Sequence, residues 1–161
     1  MKKTNDCGFT LVELLIVIAI MGILATMAIP NLSDRVIRTQ IKEAMGLAEY
    51  AQDSVESYYK IKGTMPKNNS AAGLPHKDKI KGNYVTSLEI KNGTVVVILG
   101  NRVNKHVKDK KLSFRPATVK GANGVPIAWV CGLASVPGGM TAPKENETDL
   151  KPQHLPVNCR Y

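Results

Sequence analysis

The sequence predicts an α+β fold in which one long N-terminal α-helix packs on a four-stranded antiparallel sheet. Three observations predict it. Residues 9–33, FTLVELLIVIAIMGILATMAIPNLS, form one apolar run. After Asp34 the apolar positions recur at intervals of three and four, and beyond residue 82 they give way to short β-branched runs separated by turn residues. A chain of 161 residues suits one domain plus an anchor.

Residues 14–33 carry no charge, and that is about the length a helix needs to cross ~30 Å of hydrocarbon. The order of features is the reverse of a secretory signal, which places its cleavage site after the apolar core. Here the basic, polar leader MKKTNDCG ends in Gly8, directly before the run, and no A-x-A pattern follows it. Cleavage at Gly8 leaves the apolar helix on the product. Glu13 is the anomaly within it, because an ionisable group at the bilayer centre costs ~2.5 to 3.5 kcal/mol, and less towards the interface. A cut between Gly8 and Phe9 would put a new α-amino group one helical turn from Glu13, where the two charges could neutralise each other within or between subunits. The alternative is a single-pass anchor whose Glu13 snorkels to water.

The string KKTNDCGFTLVELLIVIAIMGILATMAIP resembles the leader and N-terminus of a type IV prepilin: basic leader, Gly at the cut, Phe, Glu five residues on, then an unbroken apolar helix. The likeness continues through YYKIKGTMP, KGNYVTSLEIKNGTVVV, KDKKLSFRP, WVCG and HLPVNCRY, covering nearly the whole chain and pointing to the type IVa branch. The resemblance implies a major pilin precursor. A prepilin peptidase would cleave it between Gly8 and Phe9, Phe9 would be N-methylated, and the chain would rest in the inner membrane of a Gram-negative-type bacterium. An ATP-driven machine would then assemble it into a homo-oligomeric helical filament, the extracellular pilus or fimbrium, used in adhesion, twitching motility and, in some systems, DNA uptake. The assembly residues it implies are Phe9, Glu13, Gly22 and Pro30. A minor pilin and a type II secretion pseudopilin share the leader and stand as alternatives, as does a DNA-binding competence pilin.

The corresponding division of the chain is a leader at 1–8, a transmembrane and filament-core helix at 9–33, and a globular head at 34–161. The helix is expected to continue to about Lys60. Ile37, Ile41, Ala44, Met45, Ala48, Ala51 and Val55 mark one buried face, while Arg38, Lys42, Glu49 and Asp53 mostly occupy the rest. Gly22 lowers helix stability, and Pro30 removes a backbone hydrogen bond, so a bend is expected at Pro30. In related pilins the stretch between these two residues loses helical order in the filament.

Residues 61–82, IKGTMPKNNSAAGLPHKDKIKG, read as a loop-like connector. The sheet is expected within 83–131. Residues 84–90, the turn Lys91, Asn92, Gly93, and residues 94–99 read as a hairpin, because Asn-Gly supplies the positive φ of a tight turn. Residues 111–118 and 126–131 read as two further strands. With the helix they form an α+β head around one core.

Of three cysteines, Cys7 lies in the leader that the resemblance removes. Cys131 and Cys159 remain, and an even pair in an exported domain reads as a disulfide, with two buried thiols as the alternative. The loop they bound, residues 131–159, includes VPGGMTAPKENETD, whose composition favours exposed turns. In resembling pilins this loop carries adhesive or antigenic surface.

No catalytic constellation is present, and no enzyme activity, cofactor or metal site is expected. His76, His106 and His154 are isolated from any HExxH, close cysteine pair or nucleophile elbow. Tripeptides of the N-x-S/T form at Asn68, Asn92 and Asn146 occur readily by chance.

Charge is unevenly distributed. Residues 60–120 hold fourteen Lys and Arg against Asp78, Glu89 and Asp109, whereas residues 9–59 hold three basic and six acidic residues. The basic candidates for DNA or other anions are Lys77, Lys79, Lys81, Lys105, Lys108, Lys110, Lys111 and Arg115. Such a stretch also suits anionic lipid, a host-surface receptor, the acidic patch Glu49, Asp53 and Glu56 of a neighbouring copy, or a merely solvated face.

Overall fold

The computed structural model describes residues 9–122 and 125–161, with the side chains of 28–31 excepted. The leader, Cys7 and Gly8 therefore lie outside the described residues. The chain divides into two compact units, Met1–Asp34 and Arg35–Tyr161. Its elements in order are helix α1 (Leu11–Lys62) and strands β1 (Val85–Lys91), β2 (Thr94–Leu99), β3 (Lys111–Ala117) and β4 (Ala128–Cys131), with four short 3-10 turns.

In the first unit, the assigned helix runs unbroken through Gly22 and Pro30. The Pro30 side chain is among those excepted. Leu11, Val12, Leu14, Leu15, Ile16, Ile18, Ile20, Met21, Ile23, Leu24 and Met27 are all exposed. A helix that is apolar on every side has no inward face, so its stability depends on an apolar surrounding. By length and composition it can cross a membrane.

The second unit has an ordinary core. Ile37, Ile41, Ala44, Ala48, Ala51 and Val55 are buried on one face of α1, while Met45 is half-buried against them. The facing sheet supplies Val85, Leu88 and Ile90 from β1, Val95, Val97 and Leu99 from β2, and Leu112 and Phe114 from β3. Each fully buried aliphatic side chain is worth about 1.5 to 3 kcal/mol of transfer free energy. Members of the core cluster alternate along β2 (Val95, Val97, Leu99) and β3 (Leu112, Phe114), whereas in β1 a register shift between Val85 and Ser87 turns both Val85 and Leu88 inward.

The sheet is an antiparallel meander in the order β1-β2-β3-β4. The β1–β2 turn is Asn92-Gly93, with φ of 48° and 85°, both left-handed as a two-residue hairpin turn requires. A side chain at Gly93 would also collide with Met65, since an added Cβ would lie 2.8 Å from its sulfur. The helix ends at Lys62 rather than Lys60. Gly63, at φ 68°, donates its N–H to the Tyr59 carbonyl at 2.8 Å, the left-handed cap that closes a helix. β4 starts at Ala128 rather than 126, because Pro126 has no N–H for the ladder.

The connector is better ordered than its composition suggests. Asn69 is 6% exposed and its amide donates to the carbonyls of Leu88 (2.9 Å) and Pro75 (3.2 Å), while its oxygen accepts from Ile90 N–H at 2.6 Å. It thereby occupies the outer edge of β1 as a partner strand would. Asn92 and Gly93 also donate their N–H groups to the Lys67 and Pro66 carbonyls, at 3.2 and 2.9 Å. An open strand edge is a template for unwanted pairing, and the connector closes this one.

Candidate functional site

Three features carry the functional expectations, and the first is the start of α1. Thr10 and Glu13 form a reciprocal capping box. The Glu13 carboxylate accepts from Thr10 N–H at 2.9 Å and from the Thr10 hydroxyl at 2.8 Å, and Thr10 Oγ1 accepts from Glu13 N–H at 3.3 Å. The T-x-x-E spacing before an apolar run was the available signal for this role of Thr10. All three bonds use Oε2 or backbone, so Oε1 is engaged by no hydrogen bond among the described residues. The helix N-terminus adds a favourable dipole for the carboxylate. Phe9 is 83% exposed beside this cap, and nothing lies within 4 Å of where a Gly22 side chain would begin. Thr26, the polar residue deeper in the run, donates its hydroxyl to the Ile23 carbonyl at 2.7 Å and so leaves no unsatisfied group.

The second feature is the C-terminal loop. Cys131 and Cys159 are joined by a disulfide across 28 residues. In the chain-entropy account a loop of this size contributes about 3 to 4 kcal/mol. Noncovalent anchors then fix the loop to β3. β4 pairs with Phe114 and the residues after it, and Gly132 N–H reaches the Ser113 carbonyl at 2.9 Å, which leaves the Ser113 N–H and the edge back to Lys111 without a partner strand. Residues 146–149 close that edge. Lys111 N–H donates to the Asp149 carboxylate at 2.6 Å, Ser113 N–H to Thr148 Oγ1 at 3.0 Å, and Asp149 N–H to the Lys111 carbonyl at 3.3 Å. The fully buried Ser113 hydroxyl donates to Asn146 Oδ1 at 2.7 Å, and Asn146 Nδ2 donates to the Gly132 carbonyl at 2.7 Å. Asn69 and this set were not foreseen, since nothing in the local sequence names partners 14 to 38 residues away.

Around the loop runs a ladder of ion pairs. Lys91 Nζ lies 2.8 Å from Glu147 and 3.8 Å from Glu89, Lys77 lies 3.5 Å from Glu89, Lys111 lies 3.0 Å from Glu147, and Lys110 lies 3.3 Å from Asp149. The hydrogen bond from Lys91 holds the Glu147 carboxyl below the usual glutamate value, aided by Lys111, against partial desolvation. The same bond raises the Lys91 ammonium.

The third feature is the basic set, which the fold distributes among different roles. Lys77, Lys110 and Lys111 are the paired lysines just described. Arg115 is turned to the loop, where Nη1 donates to the Pro143 carbonyl at 3.3 Å and Nη2 to the Ala134 carbonyl at 3.2 Å. Lys79, Lys81, Lys105 and Lys108 are exposed, and among the described residues no carboxylate stands within 4.0 Å of their ammonium groups. Among the described residues no group of three His, Cys, Asp or Glu side chains could hold a metal ion.

With this geometry in place, the relatives are informative. The family description Pilin (bacterial filament) matches residues 37–160, and the Prokaryotic N-terminal methylation motif matches residues 3–29. The chain is 41% identical to a Fimbrial protein of Neisseria meningitidis serogroup B over 98% of this chain and 96% of that one. It is 40% identical to Type IV major pilin protein PilE1 of Neisseria gonorrhoeae, again over 98% and 96% of the two chains. Fimbrial protein EcpC of Eikenella corrodens is 38% identical over 99% and 94%. An exposed apolar helix with a capped, acid-bearing start, joined to a helix-on-meander head with a disulfide-bounded loop, is therefore backed by family matches over almost the entire length: the chain belongs to the pilin family of bacterial filament proteins.

Proposed function

We propose that the chain is the major structural subunit of a type IV pilus, serving surface adhesion and twitching motility. The observation that carries this reading is the exposed apolar helix of the first unit. Apolar surface on that scale needs an apolar surrounding, and two are available in turn: the inner membrane for the stored precursor, and the helices of other copies for the filament. The relatives named as major pilins and fimbrial proteins support the major rather than the minor role.

Cleavage by a prepilin peptidase after Gly8 leaves Phe9 as the terminus, which the methylation motif supports. The Phe9 amine of one copy then meets the Glu13 carboxylate of another. Oε2 is held by the local cap, so Oε1 is the oxygen that takes the incoming ammonium. In an apolar core an unpaired carboxylate is costly, so only the register that pairs each amine with a neighbour's Glu13 is stable. The head and its cysteine loop form the outer surface. Replacing Glu13 with Ala tests the reading: filaments disappear while the precursor still enters the membrane.

A further inference from the structure

We infer that the end of the head where its helix begins binds anionic phospholipid headgroups through Lys81, Arg102, Lys105 and Lys108, holding the head against the bilayer while the chain is stored there. The inference rests on the membrane residence proposed above. Two loops carry these cations, and hydrogen bonds tie both to the opening turns of the head helix. Asn104 N–H donates to Gln40 Oε1 at 2.9 Å, Asn83 Nδ2 donates to Glu43 Oε1 at 3.0 Å, and Arg102 N–H joins the loops by donating to the Asn83 carbonyl at 3.0 Å. Val103 and Val107 anchor the second loop in the same buried cluster as Ile37 and Ile41. Gln40 follows the last residue of the first unit, Asp34, by six positions, or ~9 Å of helix. These loops therefore belong to the part of the head that follows residue 34 most closely along the chain.

Among the described residues no hydrogen bond or ion pair engages the side chains of these four cations. All four are exposed, and among the described residues none has a carboxylate within 4.0 Å, unlike Lys77, Lys91, Lys110 and Lys111. Arg35, Arg38 and Lys42 add positive charge on the helix, against Asp34, Glu43 and Asp109. The Glu43 carboxylate already accepts from Asn83. Left-handed backbone at Asn101 (φ 56°) and Asp109 (φ 62°) brackets the second loop, which carries Arg102, Lys105 and Lys108 within seven residues. Headgroup phosphates extend several ångströms beyond the hydrocarbon, and screening at physiological salt acts over about 8 Å, so a cation held at that surface lies within electrostatic reach of them. A cation near an anionic surface contributes about fivefold to association. DNA offers the same phosphate chemistry, but the membrane tether supplies lipid phosphate at high local concentration to every stored copy.

The test uses the full-length chain in nanodiscs of phosphatidylcholine alone or of three parts phosphatidylcholine to one part phosphatidylglycerol. Backbone hydrogen exchange is followed at residues 80–84 and 101–109. Phosphatidylglycerol is expected to slow exchange there by about fivefold or more at low salt, with the effect abolished at 0.5 M NaCl. The combined variant Lys81→Gln, Arg102→Gln, Lys105→Gln, Lys108→Gln should lose the effect while β2 and β3 exchange as before. Equal exchange in the two lipids, or a lipid effect that persists in the variant, overturns the inference. So does protection by a DNA duplex in phosphatidylcholine discs that exceeds protection by phosphatidylglycerol, or protection that depends on two copies per disc rather than on lipid. A chain that does not enter the discs overturns the membrane reading as well, whereas an inserted chain with lipid-independent exchange overturns this inference alone.

Discussion

Glu13 and Thr10 satisfy each other at the start of the apolar helix, with Glu13 Oε2 accepting from Thr10 N–H at 2.9 Å and Thr10 Oγ1 accepting from Glu13 N–H at 3.3 Å. Glu13 caps its own helix, and in the proposed assembly it has a second, separable duty: offering charge to a neighbouring amine. Gln at position 13 keeps the first duty, since either Glu or Gln completes a capping box, and loses the second. Glu13→Gln and Glu13→Ala should both abolish or cripple filament formation, while both chains remain in the membrane fraction. Electron microscopy of sheared fractions beside immunoblots of membranes checks this. Normal filaments from Glu13→Gln would show that capping, not charge, is what assembly needs.

The Cys131–Cys159 disulfide is the covalent tie that closes the C-terminal loop of the head. Replacing Cys131 or Cys159 with Ser should cost about 3 to 4 kcal/mol, read as a lower denaturant midpoint for the head. Residues 146–149 should exchange hydrogen faster in the same variants, because the loop would then hang on its noncovalent anchors alone.

Acid should loosen those anchors before it unfolds the core. The Glu147 carboxyl is held below its ordinary value, so its stabilisation is complete above the unfolded value near pH 4.3 and is lost as pH falls through the lower folded value. Lys91 is raised, so its share is complete below about pH 10.4 and is lost only as pH climbs past its folded value. Between neutral pH and about pH 5 the pair is in force. Exchange at residues 144–149 should therefore accelerate below about pH 4 in the native chain, and this step should be much reduced in Glu147→Gln.

Asn69→Ala strips the cover from the β1 edge and leaves the Ile90 N–H without its partner. A loss of about 1 to 3 kcal/mol is expected from a buried donor left unsatisfied. Asn69→Asp keeps the acceptor for Ile90 but removes the donor to Leu88 and Pro75, and should be destabilising as well. Equilibrium urea unfolding of both variants measures the effect.

The elements whose signal is periodic were legible in the sequence to within a few residues. Ile37, Ile41, Ala44, Ala48, Ala51 and Val55 recur on one helix face because burial selects them there, and the Asn92-Gly93 turn declares itself by the φ values it needs. The capping role of Thr10 was equally legible but stood behind the more conspicuous oddity of a charge in an apolar run. Asn69 was not legible, for its partners Leu88 and Ile90 lie about twenty residues on, and a polar residue in a polar connector carries no mark of burial. The basic stretch misleads in the opposite direction. Neighbours in sequence such as Lys108, Lys110 and Arg115 look alike, yet among the described residues one is exposed with no carboxylate beside it, one meets Asp149, and one is spent on the carbonyls of Ala134 and Pro143. Which acid or carbonyl a cation meets is decided by the path of the C-terminal loop, which no local pattern encodes.

The central claim, assembly of the processed chain through its exposed helix, is tested most directly by mass spectrometry of fibres sheared from the cell surface of the source organism. The account predicts abundant fibres of this chain beginning at N-methylated Phe9, with Cys131 and Cys159 linked. A chain found only in membranes and still beginning at Met1, with surface fibres built of another protein, would contradict it.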